Sequence, residues 1–173
     1  MPRMTAARYL AEIFRAYGIT HCFFMDAILR RALAEMEEVG IRRVLGHSEK
    51  AVAYMADGFA RVSGRPAVCM AQSVGAANLA SGLQDAYLGQ SPVIALTGRH
   101  VAPMQYRNAY QELPHEPMYR SVTKFHAKIE HPAQVADLVR QAFREATAAT
   151  PRPVHLDVAG YHGDVFGLME HDF

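Results

Sequence analysis

The stretch "GHSEKAVAYMADGFARVSGRPAVCMAQ" (46–72) decides how this chain folds. Small and apolar residues recur at helical spacing from Glu49 onward, and the pattern stops at Gly64 with Pro66 just beyond, a helix ending and its stop signal. "AVCMAQ" (67–72) then reads as a short, fully apolar strand. At about 100° per residue, Glu49 shares its helix face with Val52, Ala53, Ala56, Ala60 and Ser63. Lys50, Asp57, Arg61 and Arg65 gather on another side, where Asp57 and Arg61 form an i, i+4 pair suited to a solvated stripe. A first-turn acid is ordinarily explained by the helix dipole. Here its company is apolar. A carboxylate without a partner is costly to bury, and desolvation disfavours its charged form. An acid in that setting can exchange a proton with a bound heterocycle.

Outward from this unit the same alternation repeats. Residues 5–17 read as a helix with Thr5 as cap and Gly18 as stop, 20–25 as a strand, 27–40 as a helix ending on Gly40, and 41–46 as a strand. Downstream of the decisive stretch come a helix of small residues over 76–88, an apolar strand at 92–98, and an irregular region rich in Pro, Tyr and Gln. Then follow a strand at 124–129, a helix starting near Pro132, and a strand at 153–158. Six strands alternating with helices predict an α/β fold: a single three-layer domain, with a six-stranded, mostly parallel sheet and helices on both faces. In such sheets ligands bind beyond the carboxyl ends of the strands. That singles out Met25–Asp26, His47–Ser48–Glu49, Gln72–Ser73–Val74–Gly75 and Thr97–Gly98–Arg99. We expect one domain over 1–160, with 161–173 as a tail or the start of an interdomain linker.

Composition removes several classes. The 173 residues carry a net charge of +1 with scattered basic groups, which is no footprint for nucleic acid. No apolar run approaches the roughly 20 residues of a membrane span, and the start of the chain reads as an amphipathic helix rather than a signal peptide. A cytoplasmic location is expected, with Cys22 and Cys69 as buried free thiols. There are nine histidines, but "HEPMY" (115–119) lacks the second His of a zinc helix and no CxxC occurs, so no metal site is expected on this chain.

These residues carry a family resemblance. "GHSEKAVAYMADGFARVSGRP" resembles the segment around the catalytic glutamate in thiamine diphosphate-dependent enzymes of the acetolactate synthase, benzoylformate decarboxylase and oxalyl-CoA decarboxylase group. "SVGAANLASGLQDAYLGQSPVIALTG", "AYQELPHEPMYRSVTKFHAKI" and "PRPVHLDV" are similar to the family's following segments, in order and at family spacing. The resemblance spans about residues 4–160 and implies a pyrimidine-binding domain. Glu49 would hydrogen-bond the ring nitrogen of the cofactor's aminopyrimidine and so activate it, in an enzyme that decarboxylates or ligates a 2-oxo acid. Val74, Gly75, Asn78, Gln111 and Asp26 would face the cofactor. Around the pocket the chain departs from the family pattern: Met25–Asp26 replaces a Pro–Gly, Ser73–Val74 replaces the first residues of a GPG turn, and Leu113–Pro114 follows "QE". The family's Mg²⁺- and diphosphate-binding domain has no counterpart motif here. The resemblance therefore implies either a fragment of a much longer enzyme or one subunit of a split enzyme, working as a dimer or tetramer or with a separate diphosphate-domain subunit.

Two other readings come from the residues. "AQSVG" (71–75) follows a strand and opens a helix as a hydrolase nucleophile elbow does, with Ser73 as nucleophile and Asp157 and His162 downstream. The lost glycines and the missing diphosphate domain also fit a non-catalytic scaffold or regulatory subunit.

Overall fold

The computed structural model describes residues 3–25, 29–160 and 170–172. In chain order the elements are β1 (Arg3–Thr5), α1 (Ala6–Ala16), β2 (His21–Phe24), α2 (Arg30–Glu38), β3 (Arg42–Leu45), α3 (Glu49–Ser63), β4 (Ala67–Ala71) and α4 (Gly75–Leu88). They continue with β5 (Val93–Arg99), α5 (His115–Tyr119), β6 (Phe125–Ile129), α6 (Val135–Thr147), β7 (Val154–Ala159) and β8 (Glu170–Asp172). All six expected strands form, in one sheet of order β3-β2-β4-β5-β7-β6, and every pair within it is parallel.

The strands are two-sided, and each side has its own core. Val68, Met70, Ile94, Leu96, Val154, Leu156 and Val158 pack under α1, α2 and α6, against Leu10, Phe14, Met36 and Phe143. The alternate residues Ala67, Cys69, Ala71, Val93 and Ala95 pack under α3 and α4, against Val52, Ala56, Leu79 and Leu83. Period-two alternation thus puts bulky residues on one face and small ones on the other. The small side lets α3 and α4 approach closely: a Cβ on Gly82 of α4 would lie 2.7 Å from Ala53 Cβ and 2.8 Å from the Lys50 carbonyl of α3.

Local signals place the helix ends as the sequence implies. Thr5 Oγ1 accepts from the Arg8 amide at 3.2 Å, and Ser48 Oγ accepts from the Ala51 amide at 3.2 Å. Gly64 ends α3 in the left-handed region, φ 66°, where a Cβ would be strained.

Some expectations need correction. Asp57 is not on a solvated stripe: it is 5% exposed, and its partner Arg61 (2.8 Å) also donates to the Asp85 carbonyl of α4 at 3.0 Å. Ser63, placed on the buried face, is exposed. The irregular region holds α5, which packs on the small-residue side of the sheet. Residues 170–172 form a strand, antiparallel to β1, with Arg3 opposite Asp172. Both cysteines are free and buried, and burial pushes both thiol pKa values up. Among the described residues, no helix is long and apolar enough to cross a membrane.

Candidate functional site

Strand order reverses between β2 and β4, since the chain goes outward to β3 and returns to the other side of β2. Crevices form at such reversals. Glu49 is the first residue of α3, just beyond β3, and the Ser73–Gly75 turn lies just beyond β4. The two elements meet directly. A Cβ on Gly75 would stand 2.5 Å from Glu49 Oε1, 2.8 Å from its Cγ and 2.9 Å from its Cδ. Only glycine leaves the carboxylate this place. Asn78, one turn further along α4, donates from Nδ2 to Glu49 Oε2 at 3.2 Å.

Three of the sequence-selected residues, Glu49, Gly75 and Asn78, therefore form one cluster. Val74 is adjacent and half-exposed. Gln111 joins through the neighbouring turn residues: its Oε1 accepts from Gln72 Nε2 at 2.5 Å, and its carbonyl accepts from Ser73 Oγ. Its φ of +62° is uncommon for a residue with a side chain and tends to mark functional loops. Asp26 lies outside the described residues. Glu49 is partly exposed rather than enclosed, so its apolar helix face is buried while its carboxylate stands at the rim.

A second feature was not anticipated. The sheet order reverses again at its other end, where β7 inserts between β5 and β6. On the small-residue side of these strands lies a buried polar cluster. Thr97 Oγ1 donates to Asp157 Oδ1 at 2.9 Å and stands 2.7 Å from His155 Nε2 and 3.2 Å from His115 Nδ1. His115 Nδ1 is 2.9 Å from Asp157 Oδ1. His155 Nδ1 meets His126 Nδ1 at 2.8 Å, and the Tyr119 ring stacks on His155 with centroids 3.5 Å apart. Burial, reinforced by the neighbouring histidines, holds the pKa of His155 well below the usual histidine range. Burial likewise lowers that of His126 and raises that of the Tyr119 phenol.

Donor atoms of His115, His155 and Asp157 lie within 4.8 Å of one another, all three residues buried, which is metal-ligand spacing. The Thr97 hydroxyl occupies the space among them, so the cluster is closed by hydrogen bonds. A signal for it existed in the sequence: "FHAKI" and "VHLDV" each alternate polar with apolar residues, and in register His126 pairs with His155 and Lys128 with Asp157.

The hydrolase reading meets this cluster too. His162 lies outside the described residues, and the imidazole near Ser73 is that of His115. Its Nε2 is 3.0 Å from the Ser73 carbonyl and 3.4 Å from Ser73 Oγ. The hydroxyl hydrogen is committed to Gln111 O, so both neighbours of Nε2 are acceptors. Nε2 must then carry a hydrogen and cannot serve Ser73 as a base. A cavity of about 600 Å³ opens beside this turn, lined by Ser73, Arg99, His100, His115, Lys128 and Asp157 among others, with neither Glu49 nor Asn78 in its wall.

A family model described as "Thiamine pyrophosphate enzyme, N-terminal TPP binding domain" matches residues 4–118. The chain belongs to this family. The match takes in Glu49, Gly75, Asn78, Gln111 and His115 and stops before His126, His155 and Asp157, so this N-terminal TPP-binding domain carries part of its polar cluster beyond the matched residues. The chain is 40% identical over 116 residues to a probable acetolactate synthase large subunit of Methanocaldococcus jannaschii, covering 66% of this chain and 20% of that protein. It is 40% identical over 119 residues to the chloroplastic acetolactate synthase of Arabidopsis thaliana, covering 68% and 18%. With the acetolactate synthase isozyme 1 large subunit of Escherichia coli it shares 32% identity over 159 residues, covering 90% and 28%. This TPP-enzyme domain thus spans between about a fifth and just over a quarter of the relatives' length.

Proposed function

We propose that this domain holds the aminopyrimidine ring of thiamine diphosphate and that Glu49 is the acid that activates it, within an enzyme that acts on a 2-oxo acid by decarboxylation or carboligation. The observation that carries the reading is the Glu49–Gly75–Asn78 cluster at the strand-order reversal. The residues fit an aminopyrimidine. The ring needs one acid at a ring nitrogen, flat apolar walls, and little else. Glu49 supplies the acid, Val74 and the Cβ-free surface of Gly75 supply the wall, and Gln111 lies across the turn.

When bound, thiamine diphosphate would supply an electron sink for the pair left on the 2-oxo carbon as the carboxylate departs as CO₂, a pair then taken by a proton or by an acyl acceptor. The chain's own task is to hold and move one proton. Glu49 Oε2 is fixed by Asn78 and Oε1 is seated on Gly75, so the carboxyl group presents one set direction to a ring nitrogen. Proton transfer at a ring nitrogen needs an acid held within hydrogen-bond reach in a fixed direction, which is what the hold by Asn78 and Gly75 gives Glu49.

The diphosphate and its Mg²⁺ belong, on this reading, to a second domain or subunit, in keeping with the short span of the relatives covered here. A 2-oxo acid substrate and a dimeric or larger assembly follow from the same reading. The test is an NMR titration of the chain with thiamine, which has the pyrimidine without the diphosphate. Wild type should show shifts centred on Gly75 and Asn78. Glu49→Gln should weaken binding about 10-fold or more, the loss of a hydrogen bond to a charged group. Unchanged affinity in that variant would remove Glu49 from the site.

A further inference from the structure

We propose that His115 is a positioning residue for the cofactor-facing turn, acting through the Ser73 carbonyl; this rests on the proposed pyrimidine site. The Ser73 carbonyl does two things at once. It accepts from the Ala76 amide at 3.1 Å, which starts the first turn of α4, and it accepts from His115 Nε2 at 3.0 Å. That first turn carries Gly75, the seat of Glu49, and leads to Asn78, its donor. A second bond from α5 reinforces the hold, since the Tyr119 hydroxyl donates to the Ala76 carbonyl at 3.0 Å.

The imidazole is aimed from behind. Asp157 Oδ1 faces Nδ1 at 2.9 Å, and Asp157 is itself fixed by Thr97 and lies 3.7 Å from Arg99 Nε. His115 is 2% exposed and is hydrogen-bonded to the Ser73 carbonyl rather than to Glu49 or Asn78, so its effect on the proposed site runs through the turn. The central strands β5 and β7 thus set the height of the α4 N-terminus through one histidine. Ordinary β–α turns rely on a side-chain cap for this. Here Val74 stands at the cap position without a side-chain hydrogen bond; the Ala76 amide is met instead by the Ser73 carbonyl, and His115 donates to that same carbonyl from outside the turn.

Two conservative variants separate this role from mere filling of a buried space. In Gln the amide nitrogen falls where Nε2 lies and reaches Ser73; in Asn it falls where Nδ1 lies and reaches only Asp157. Both keep a buried polar group. With thiamine as probe, H115Q should bind within about 3-fold of wild type, while H115N should lose about 10-fold with a Gly75 amide signal shifted before ligand is added. Equal affinities in the two variants, whether both kept or both lost, overturn the proposal. If neither variant folds, the imidazole ¹⁵N spectrum of the wild-type chain decides: a hydrogen on Nε2 of His115 is required, and a bare Nε2 overturns it. A null result in Glu49→Gln instead removes the pyrimidine reading, and the two failures are thereby told apart.

Discussion

Replacing glycine by alanine inside a helix should have opposite effects at two positions of this chain. Gly58 is an exposed interior residue of α3, and a Cβ there would meet nothing within 4 Å. Alanine should stabilise by about 0.5–1 kcal/mol through helix propensity. Gly82 is an interior residue of α4, but its Cβ would stand 2.7 Å from Ala53 Cβ, 2.8 Å from the Lys50 carbonyl and 3.3 Å from Lys50 Cα. Comfortable carbon contacts begin near 3.5 Å, so the helices must separate by about 1 Å. Two of those three atoms are backbone and cannot rotate away. Overpacking of this kind costs about 1–3 kcal/mol. After the propensity gain, a net loss centred on about 1 kcal/mol remains, or about 2–4 °C in Tm for a domain of this size. Urea unfolding of the two variants beside wild type measures both signs. The displaced backbone is that of Lys50, next to Glu49, so G82A should also weaken thiamine binding while G58A should not. A G82A protein as stable as G58A would refute the close α3–α4 packing from which this follows.

Gly75→Ala puts a Cβ against Glu49 Oε1 and should drive the carboxylate from its seat. Thiamine binding should fall below detection in the same NMR titration while far-UV circular dichroism stays unchanged. Acid should destabilise the fold through His155, whose folded pKa lies well below the ordinary 6.5 because of burial. The unfolded chain takes up a proton near pH 6.5 and the folded chain does not, so stability is full above that pH and declines below it. For one histidine that stays neutral when folded, the loss between pH 7.5 and 5.5 is about 1.4 kcal/mol. His126 acts in the same direction. Urea midpoints at the two pH values measure this, and His155→Gln should flatten the difference.

The layered fold was legible because its elements are long and their periods clear. Ala67, Cys69 and Ala71 alternate with Val68 and Met70, and helices of 11 to 15 residues show one buried stripe. The β1–β8 pair was not legible, for it joins two three-residue strands from opposite ends of the chain, too short to show a period. Asp57 was misread for a different reason. A helical wheel gives an angle but not the neighbour that lies there, and the neighbour is α4. Glu49 was found because an acid on an apolar stripe is chemically anomalous in one dimension. Gly75 was singled out by its place after a strand as well as by the family pattern, and Asn78 and Gln111 came through the family pattern alone. The His115–Asp157–Thr97 cluster was missed because its members are 18 to 60 residues apart, and only the β5–β7–β6 order brings them together.

The partial exposure of Glu49 bears on how the proposed site works. From the sequence, its helix face suggested a dry acid, yet the carboxylate stands at a rim with Asn78 exposed and Val74 half-exposed beside it. A fully enclosed acid would leave no room for a ring. A fully solvated one would form a hydrogen bond weakened by water. On the proposed reading, the missing dryness must come from the cofactor itself and from whatever closes over it. The chain then contributes direction, through Gly75 and Asn78, and the cover contributes the low dielectric. Direction is built from backbone: the Ser73 carbonyl held by His115, the Ala76 carbonyl held by Tyr119, and the Lys50 backbone packed on Gly82. It should therefore persist in the isolated domain, where thiamine would bind weakly but in the same orientation, so that Gly75 and Asn78 shift in the same sense with and without the cover. Shifts that moved to other residues once the cover was supplied would mean that this domain does not set the ring's orientation.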